Sequence, residues 1–176
     1  MKIGLGTVQW GLNYGISNTN GIPSDGELES IFSLATQNSI DLFDTASEYG
    51  NAEHRLGNYI TKNSRIVSKF GSIKHSSFEK EFMSSMNRLN VEQLYGYLFH
   101  SPNDLINNPL LWDKMQKLKA NGKVKKTGYS LYTTEQLNFF LKKNWIPDII
   151  QLPHSILDRK FEPYFEQLKS LGTEIH

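Results

Sequence analysis

Short β-type runs alternate with longer helix-type segments along the whole chain, and that alternation limits the fold more than any other feature. The strand candidates are Ile3 to Thr7, Leu42 to Thr45, Arg65 to Lys69, Tyr95 to His100, Lys126 to Ser130, Ile149 to Leu152 and Thr173 to Ile175. Each is short and mostly apolar, as strands covered on both faces are. The segments between them carry helix starts and stops. Ser24 and Glu27 have the spacing of a capping box ahead of Leu28, Ile31, Phe32 and Ala35. Ser76 and Glu79 repeat it before Phe78, Phe82, Met86 and Leu89. Leu111, Met115 and Leu118 form a third stripe that ends at Asn121-Gly122, a left-handed C-cap pattern. Thr134 opens a helix bearing Leu137, Phe140 and Leu141, and Phe161, Phe165 and Leu168 lead to a stop at Gly172. With no low-complexity stretch or Pro/Ser-rich linker, residues 1–176 read as one domain.

Parallel strands joined by crossover helices leave two common architectures, a doubly wound open sheet and a closed barrel. The doubly wound nucleotide fold calls for a glycine-rich turn opening a helix after the first strand. Here Gly4-x-Gly6 runs into Thr7, Val8 and Gln9 without the third glycine, and no helix is expected to start there. The barrel is favoured because polar residues of a chemical kind recur at the carboxyl ends of several strands, where barrel enzymes place their sites. Such a barrel takes about 250 residues, so the α/β (β/α)8 TIM barrel expected here is incomplete, with about seven strands and the last βα unit missing. The first and seventh strands would then be open edges through which the chain self-associates.

Lys and Arg total 19 and Asp and Glu 18, a net charge of +1 that offers no field for nucleic acid or a membrane surface. The expected partner is a small molecule recognised locally. The absence of cysteine excludes a disulfide scaffold and zinc-thiolate sites. The opening Met1-Lys2-Ile3-Gly4-Leu5 is too short for a signal-peptide core, so the expected location is the cytoplasm. His54, His75, His154 and His176 show no ligand spacing, and no metal is expected. Gly128-Tyr129-Ser130 lacks the setting of a nucleophile elbow. Lys123, Lys125 and Lys126 read as a solvated helix end.

Four residues remain that could do chemistry together. Asp44 ends the second strand, Tyr49 lies in the loop after it, Lys69 ends the third and His100 the fourth. Singly, each has an ordinary explanation: a solvated carboxylate or ammonium, a loop aromatic, a core histidine. Successive strand ends would bring all four to one rim. A lysine cation close to a tyrosine favours the phenolate, a carboxylate holds that lysine, and a neutral imidazole orients a carbonyl oxygen. Such a set can protonate an alkoxide as hydride reaches carbon, and the hydride must come from a cofactor. A metal-dependent barrel hydrolase or isomerase would need ligands that the sequence does not offer.

Asp44-Thr45-Ala46-Ser47-Glu48-Tyr49-Gly50, followed by Glu53 and Leu56-Gly57, resembles the signature of the aldo-keto reductase superfamily. Leu5-Gly6-Thr7 resembles that family's first strand, Ile66-Val67-Ser68-Lys69 its lysine strand and Leu98-Phe99-His100-Ser101-Pro102 its histidine strand. Gly128-Tyr129-Ser130 resembles the fifth, and Ile150 to Arg159 the sixth strand with its loop. The resemblance implies an NAD(P)H-dependent oxidoreductase that reduces an aldehyde or ketone to an alcohol. Tyr49 is then the general acid, Lys69 lowers its pKa, Asp44 holds Lys69 and His100 positions the carbonyl. Thr7, Asp44, Ser130 and Gln151 fall at cofactor-binding positions, Ser130 and Gln151 at the nicotinamide carboxamide. NADPH is the expected cofactor and NADH the substitute. Leu131 stands where the family often has asparagine, and His154-Ser155 replace a common Tyr-Asn pair. Trp10 and Tyr14 fall in the first loop, at positions expected to line the substrate pocket, with packing an equal reading for Trp10. Much of the family's grip on pyrophosphate and adenosine follows its seventh and eighth strands. The alternatives are therefore a catalytically silent regulatory or assembly subunit, or a fragment unable to hold cofactor.

Overall fold

The computed structural model describes residues 3–71 and 77–176. The elements run β1 (Gly4–Gly6), α1 (Val8–Gly11), α2 (Asp25–Gln37), β2 (Leu42–Asp44), α3 (Ala52–Gly57), β3 (Arg65–Phe70), α4 (Phe78–Leu89) and β4 (Leu94–Phe99). They continue α5 (Pro102–Asn107), α6 (Leu110–Ala120), β5 (Val124–Ser130), α7 (Thr134–Lys142), β6 (Ile149–Gln151), a 3-10 turn at Glu162–Tyr164, α8 (Phe165–Ser170) and β7 (Glu174–Ile175).

All strand pairs are parallel and the order in the sheet is the order in the sequence, with β1 and β7 as the outer strands. Interactions across the ring show how far the sheet curls. The Gln151 amide on β6 donates to the Asp44 carboxylate on β2, and the Tyr95 hydroxyl on β4 lies 2.8 Å from the Glu174 carboxylate on β7. A flat sheet would hold those strands several spacings of about 4.8 Å apart. The fold is a curled half-barrel of seven parallel strands with its helices outside, the α/β architecture expected from the alternation.

Apolar side chains on the convex face of the sheet meet the inner faces of the helices. Phe43, Ile66, Phe70, Tyr97, Phe99, Tyr129 and Ile150 pack with Leu28, Phe78, Phe82, Met86, Leu89, Leu111, Met115, Leu137, Phe140 and Leu168, all buried. The helical stripes read from the sequence are thus core faces, although Ile31 stays partly exposed beside β1. Close approach sets one glycine: a Cβ on Gly128 would lie 1.8 Å from the Ile149 carbonyl oxygen. Only a residue without one lets β5 and β6 pair there.

The helix caps follow side-chain chemistry with two adjustments. Ser24 and Glu27 form the reciprocal box. For α4 the cap is Ser77, which accepts from the Lys80 amide; Ser76 and His75 lie outside the described residues. Helix α7 carries a second full box, Thr133 with Gln136, one residue before the expected start at Thr134. Asn121 caps α6, and Gly122 and Gly172 adopt positive φ at the expected stops. Contrary to expectation, β1 is followed by one helical turn, α1, whose Trp10 is buried in the core. Lys126 is not a solvated helix cap but a strand residue 2.6 Å from Glu174. Among the described residues, no helix is long and apolar enough to cross a membrane.

Candidate active site

Because every strand runs the same way, the residues at or just beyond their carboxyl ends share one rim. Asp44, Tyr49, Lys69, His100, Ser130 and Gln151 line a single cavity of about 300 Å³ there, with Leu131, Tyr132, Leu152, Pro153 and His176. The sheet register brings the central residues level. Asp44 pairs beside Val67, two residues before Lys69, and His100 follows Phe99, which pairs with Phe70.

Lys69 is the centre of the arrangement. Its side chain is 3% exposed, and its Nζ lies 2.5 Å from Asp44 Oδ1, 2.9 Å from the Thr45 carbonyl and 3.4 Å from the Tyr49 hydroxyl. Burial draws the ammonium below its ordinary range, and the Asp44 carboxylate opposes that. The second Asp44 oxygen accepts from the Gln151 amide, so both oxygens are fixed.

The Tyr49 ring stands edge-on to the His100 imidazole, with centroids 5.5 Å apart and planes at 83°. Burial raises the phenol above its ordinary range and the Asp44 carboxylate adds to it. The depression expected from Lys69 does not appear, because that ammonium is 2.5 Å from Asp44 and 3.4 Å from the hydroxyl. The consequence is a phenol held protonated, the form that can give a proton. Burial lowers the His100 pKa and Lys69 lowers it further, while the Glu48 carboxylate opposes both.

Thr7 is placed otherwise than expected. Its amide and hydroxyl both donate to the Asp44 carbonyl, at 2.9 and 3.0 Å, and it is fully buried behind the rim rather than lining the cavity. It anchors Asp44 to β1. Trp10 is core packing, and Tyr14 is exposed and not a lining residue. Ser130 and Gln151 do line the cavity, and the Ser130 hydroxyl has no protein partner among the described residues.

Three residues not singled out from the sequence as site residues belong to the rim. Tyr132 and His176 line the cavity. Glu48 sits with an oxygen 3.0 Å from His100 Nδ1. Its place directly before Tyr49 was the only available signal.

A second buried charge braces the rim from behind. Glu53, 1% exposed, accepts from Ser68 Oγ at 2.5 Å and from Arg88 Nε at 2.7 Å, tying α3, β3 and α4 together beside Lys69.

The model of the aldo/keto reductase family matches residues 2–175. The chloroplastic pyridoxal reductase of Arabidopsis thaliana is 28% identical over 172 residues, an alignment taking in 82% of this chain and 46% of that protein. A crystal structure from Pseudomonas aeruginosa, assigned as an aldo-keto reductase, superposes with a TM-score of 0.81 at 28% identity, over 98% of this chain and 70% of that one. A Klebsiella pneumoniae aldo-keto reductase solved in complex with NADPH gives a TM-score of 0.72 at 20% identity, over 98% and 61% of the two chains. The chain thus spans about half the length of the curated relative. With seven parallel strands in sequence order, the signature folded around one rim and the family model matched almost end to end, the chain belongs to the aldo/keto reductase family.

Proposed function

We infer that the site reduces an aldehyde or ketone to an alcohol with NADPH, and that Tyr49 is the proton donor. The observation that carries this is the line Asp44–Lys69–Tyr49, 2.5 and then 3.4 Å, facing the same cavity as His100. The Pseudomonas aeruginosa and Arabidopsis thaliana relatives support the reductase class, and the NADPH of the Klebsiella pneumoniae structure supports the cofactor.

The residues present fit the reacting end of such a cofactor. The Ser130 hydroxyl, without a protein partner among the described residues, and the Gln151 side chain are what a carboxamide needs, in the cavity that Tyr49 also lines. A cavity of about 300 Å³ is at the lower end of ligand pockets, enough for a nicotinamide ring and a small carbonyl compound. When bound, the cofactor supplies the hydride.

The chain's own residues do the rest. The Tyr49 hydroxyl donates to the carbonyl oxygen and passes its proton there as negative charge develops. The phenolate left behind faces the Lys69 ammonium, which Asp44 keeps charged against burial. His100 shares the oxygen with Tyr49 and fixes the carbonyl's direction. Cytoplasmic location belongs to the same reading.

The test is NADPH consumption with a panel of small aldehydes, pyridoxal among them, by the wild type and Tyr49→Phe. Removing the acid should lower kcat by about 10²- to 10⁴-fold while cofactor binding, followed by fluorescence, is kept. A Tyr49→Phe protein that turns over at the wild-type rate would overturn the assignment of the acid.

A further inference from the structure

Lys69 has carboxylates on both sides of β3. Successive residues of a strand face opposite ways, so Val67 and Lys69 point into the ring while Ile66, Ser68 and Phe70 point out toward the helices. On the inner side Asp44 holds Lys69 at 2.5 Å. On the outer side Glu53 of α3 accepts at 2.5 Å from the hydroxyl of Ser68, the residue next to Lys69. Close docking of α3 buries that carboxylate. A Cβ on Gly57, at the end of α3, would lie 2.6 Å from the Arg88 carbonyl oxygen, so a side chain there would hold α3 away from α4. A buried ion pair is a poor device for stability alone, since apolar side chains of similar volume do as well or better. The charges behind β3 are also uneven. Arg88 lies 2.7 Å from Glu53 and 3.4 Å from Glu81, so two carboxylates share one guanidinium. Water screens Arg88, whose side chain is 33% exposed, whereas Glu53 is 1% and Lys69 3% exposed. The field that reaches Lys69 through the buried strand is therefore that of an anion.

We propose that Glu53 is a positioning residue that acts on Lys69 from behind the sheet, a second anion that keeps the ammonium charged in its place beside Tyr49. This rests on the reductase reading for its use but not for its test. Burial works against the charge on Lys69, and Glu53 joins Asp44 in favouring it. The other titratable groups facing Lys69 are Tyr49 in the loop after β2 and His100 at the end of β4. Those facing Glu53 are Arg88 and Glu81 of α4 and the buried Tyr97 hydroxyl of β4. Glu53 also follows Tyr49 by four residues, so the bond to Ser68 that brings its charge to Lys69 ties the loop of the proton donor to β3. One carboxylate thus sets both the charge of the lysine and the place of the phenol beside it.

The experiment is carbon NMR of protein labelled at the ends of its lysine side chains, with the Lys69 signal identified by its loss in Lys69→Met. The wild type is compared across a pH titration with Glu53→Gln and with the double variant Glu53→Gln/Arg88→Met. The double variant replaces the ion pair by neutral groups and should regain most of the stability that Glu53→Gln loses, so it carries the test even where the single variant does not fold. The Lys69 midpoint should fall by about one pH unit in Glu53→Gln and by about half a unit in the double variant. Exposed Lys62 should titrate alike in all three proteins. A brace with no electrostatic part would instead let the Lys69 midpoint return to the wild-type value as stability returns. That return in the double variant, or an unchanged midpoint in a folded Glu53→Gln, would overturn the proposal. The titration needs neither cofactor nor turnover, so a chain that reduces nothing would still reveal whether Glu53 sets the charge on Lys69.

Discussion

Replacing Asp44 by asparagine removes one charge and almost no volume, and the surroundings of Lys69 set what that costs. The Lys69 side chain is 3% exposed, and its Nζ is in reach of the Asp44 carboxylate, the Thr45 carbonyl and the Tyr49 hydroxyl. Only the first carries a full charge. At an effective dielectric of about 20, unit charges 2.5 Å apart attract by roughly 7 kcal/mol. The asparagine oxygen and the Thr45 carbonyl still offer dipoles, so the expected loss of stability near neutral pH is about 3–5 kcal/mol. The loss should also depend on pH in a definite direction. Burial already depresses the Lys69 ammonium, and without Asp44 its pKa falls further. An unfolded lysine titrates near about 10.4. Between the depressed folded value and that point the unfolded chain binds more protons, so stability rises with pH. The penalty is complete below the folded value and gone above the unfolded one. Because the Asp44→Asn window extends to lower pH than the wild-type window, the gap between the two proteins should narrow from about pH 7 to about pH 9.5. Urea denaturation followed by circular dichroism at both pH values measures it. A deficit under about 1 kcal/mol at neutral pH, or one that grows as pH rises, would refute the reasoning.

Two further perturbations probe the frame behind the site. Glu53→Gln keeps the volume but leaves Arg88 facing a neutral amide in a buried setting, and should cost about 3 kcal/mol in the same denaturation assay, the low end for a broken buried pair because Arg88 is partly exposed. A loss within error of zero would show that Arg88 is satisfied by water and Glu81 alone. Gly128→Ala places a methyl 1.8 Å from the Ile149 carbonyl oxygen, where backbone rather than a flexible side chain must give way. Expression should move to the insoluble fraction, and a soluble variant with wild-type stability would mean that β5 and β6 are not held at this distance.

Much of the architecture was legible in local pattern. The seven strand candidates and the boxes and stripes between them depend on period, capping chemistry and turn residues, all of which act within a few positions. Where expectation and structure differ, local chemistry still explains the difference. Thr133 with Gln136 forms the box for α7, and Trp10 belongs to one helical turn packed into the core. The tetrad was legible because parallel strands send their carboxyl ends to the same rim whatever the sheet's exact curvature.

What the sequence by itself determined, then, is the order of β and α units and the set of polar residues at one end of the strands. The tertiary structure alone decided which of them touch. Asp44 and Gln151 are 107 residues apart and meet only because the sheet curls, and curl is the accumulated twist of every neighbouring pair. Glu48 comes beside His100 for the same reason, whereas Thr7 anchors Asp44 through the direct pairing of the adjacent strands β1 and β2. Periodicity records which way a side chain faces, whereas charge coupling falls off within a few ångströms that no one-dimensional pattern records.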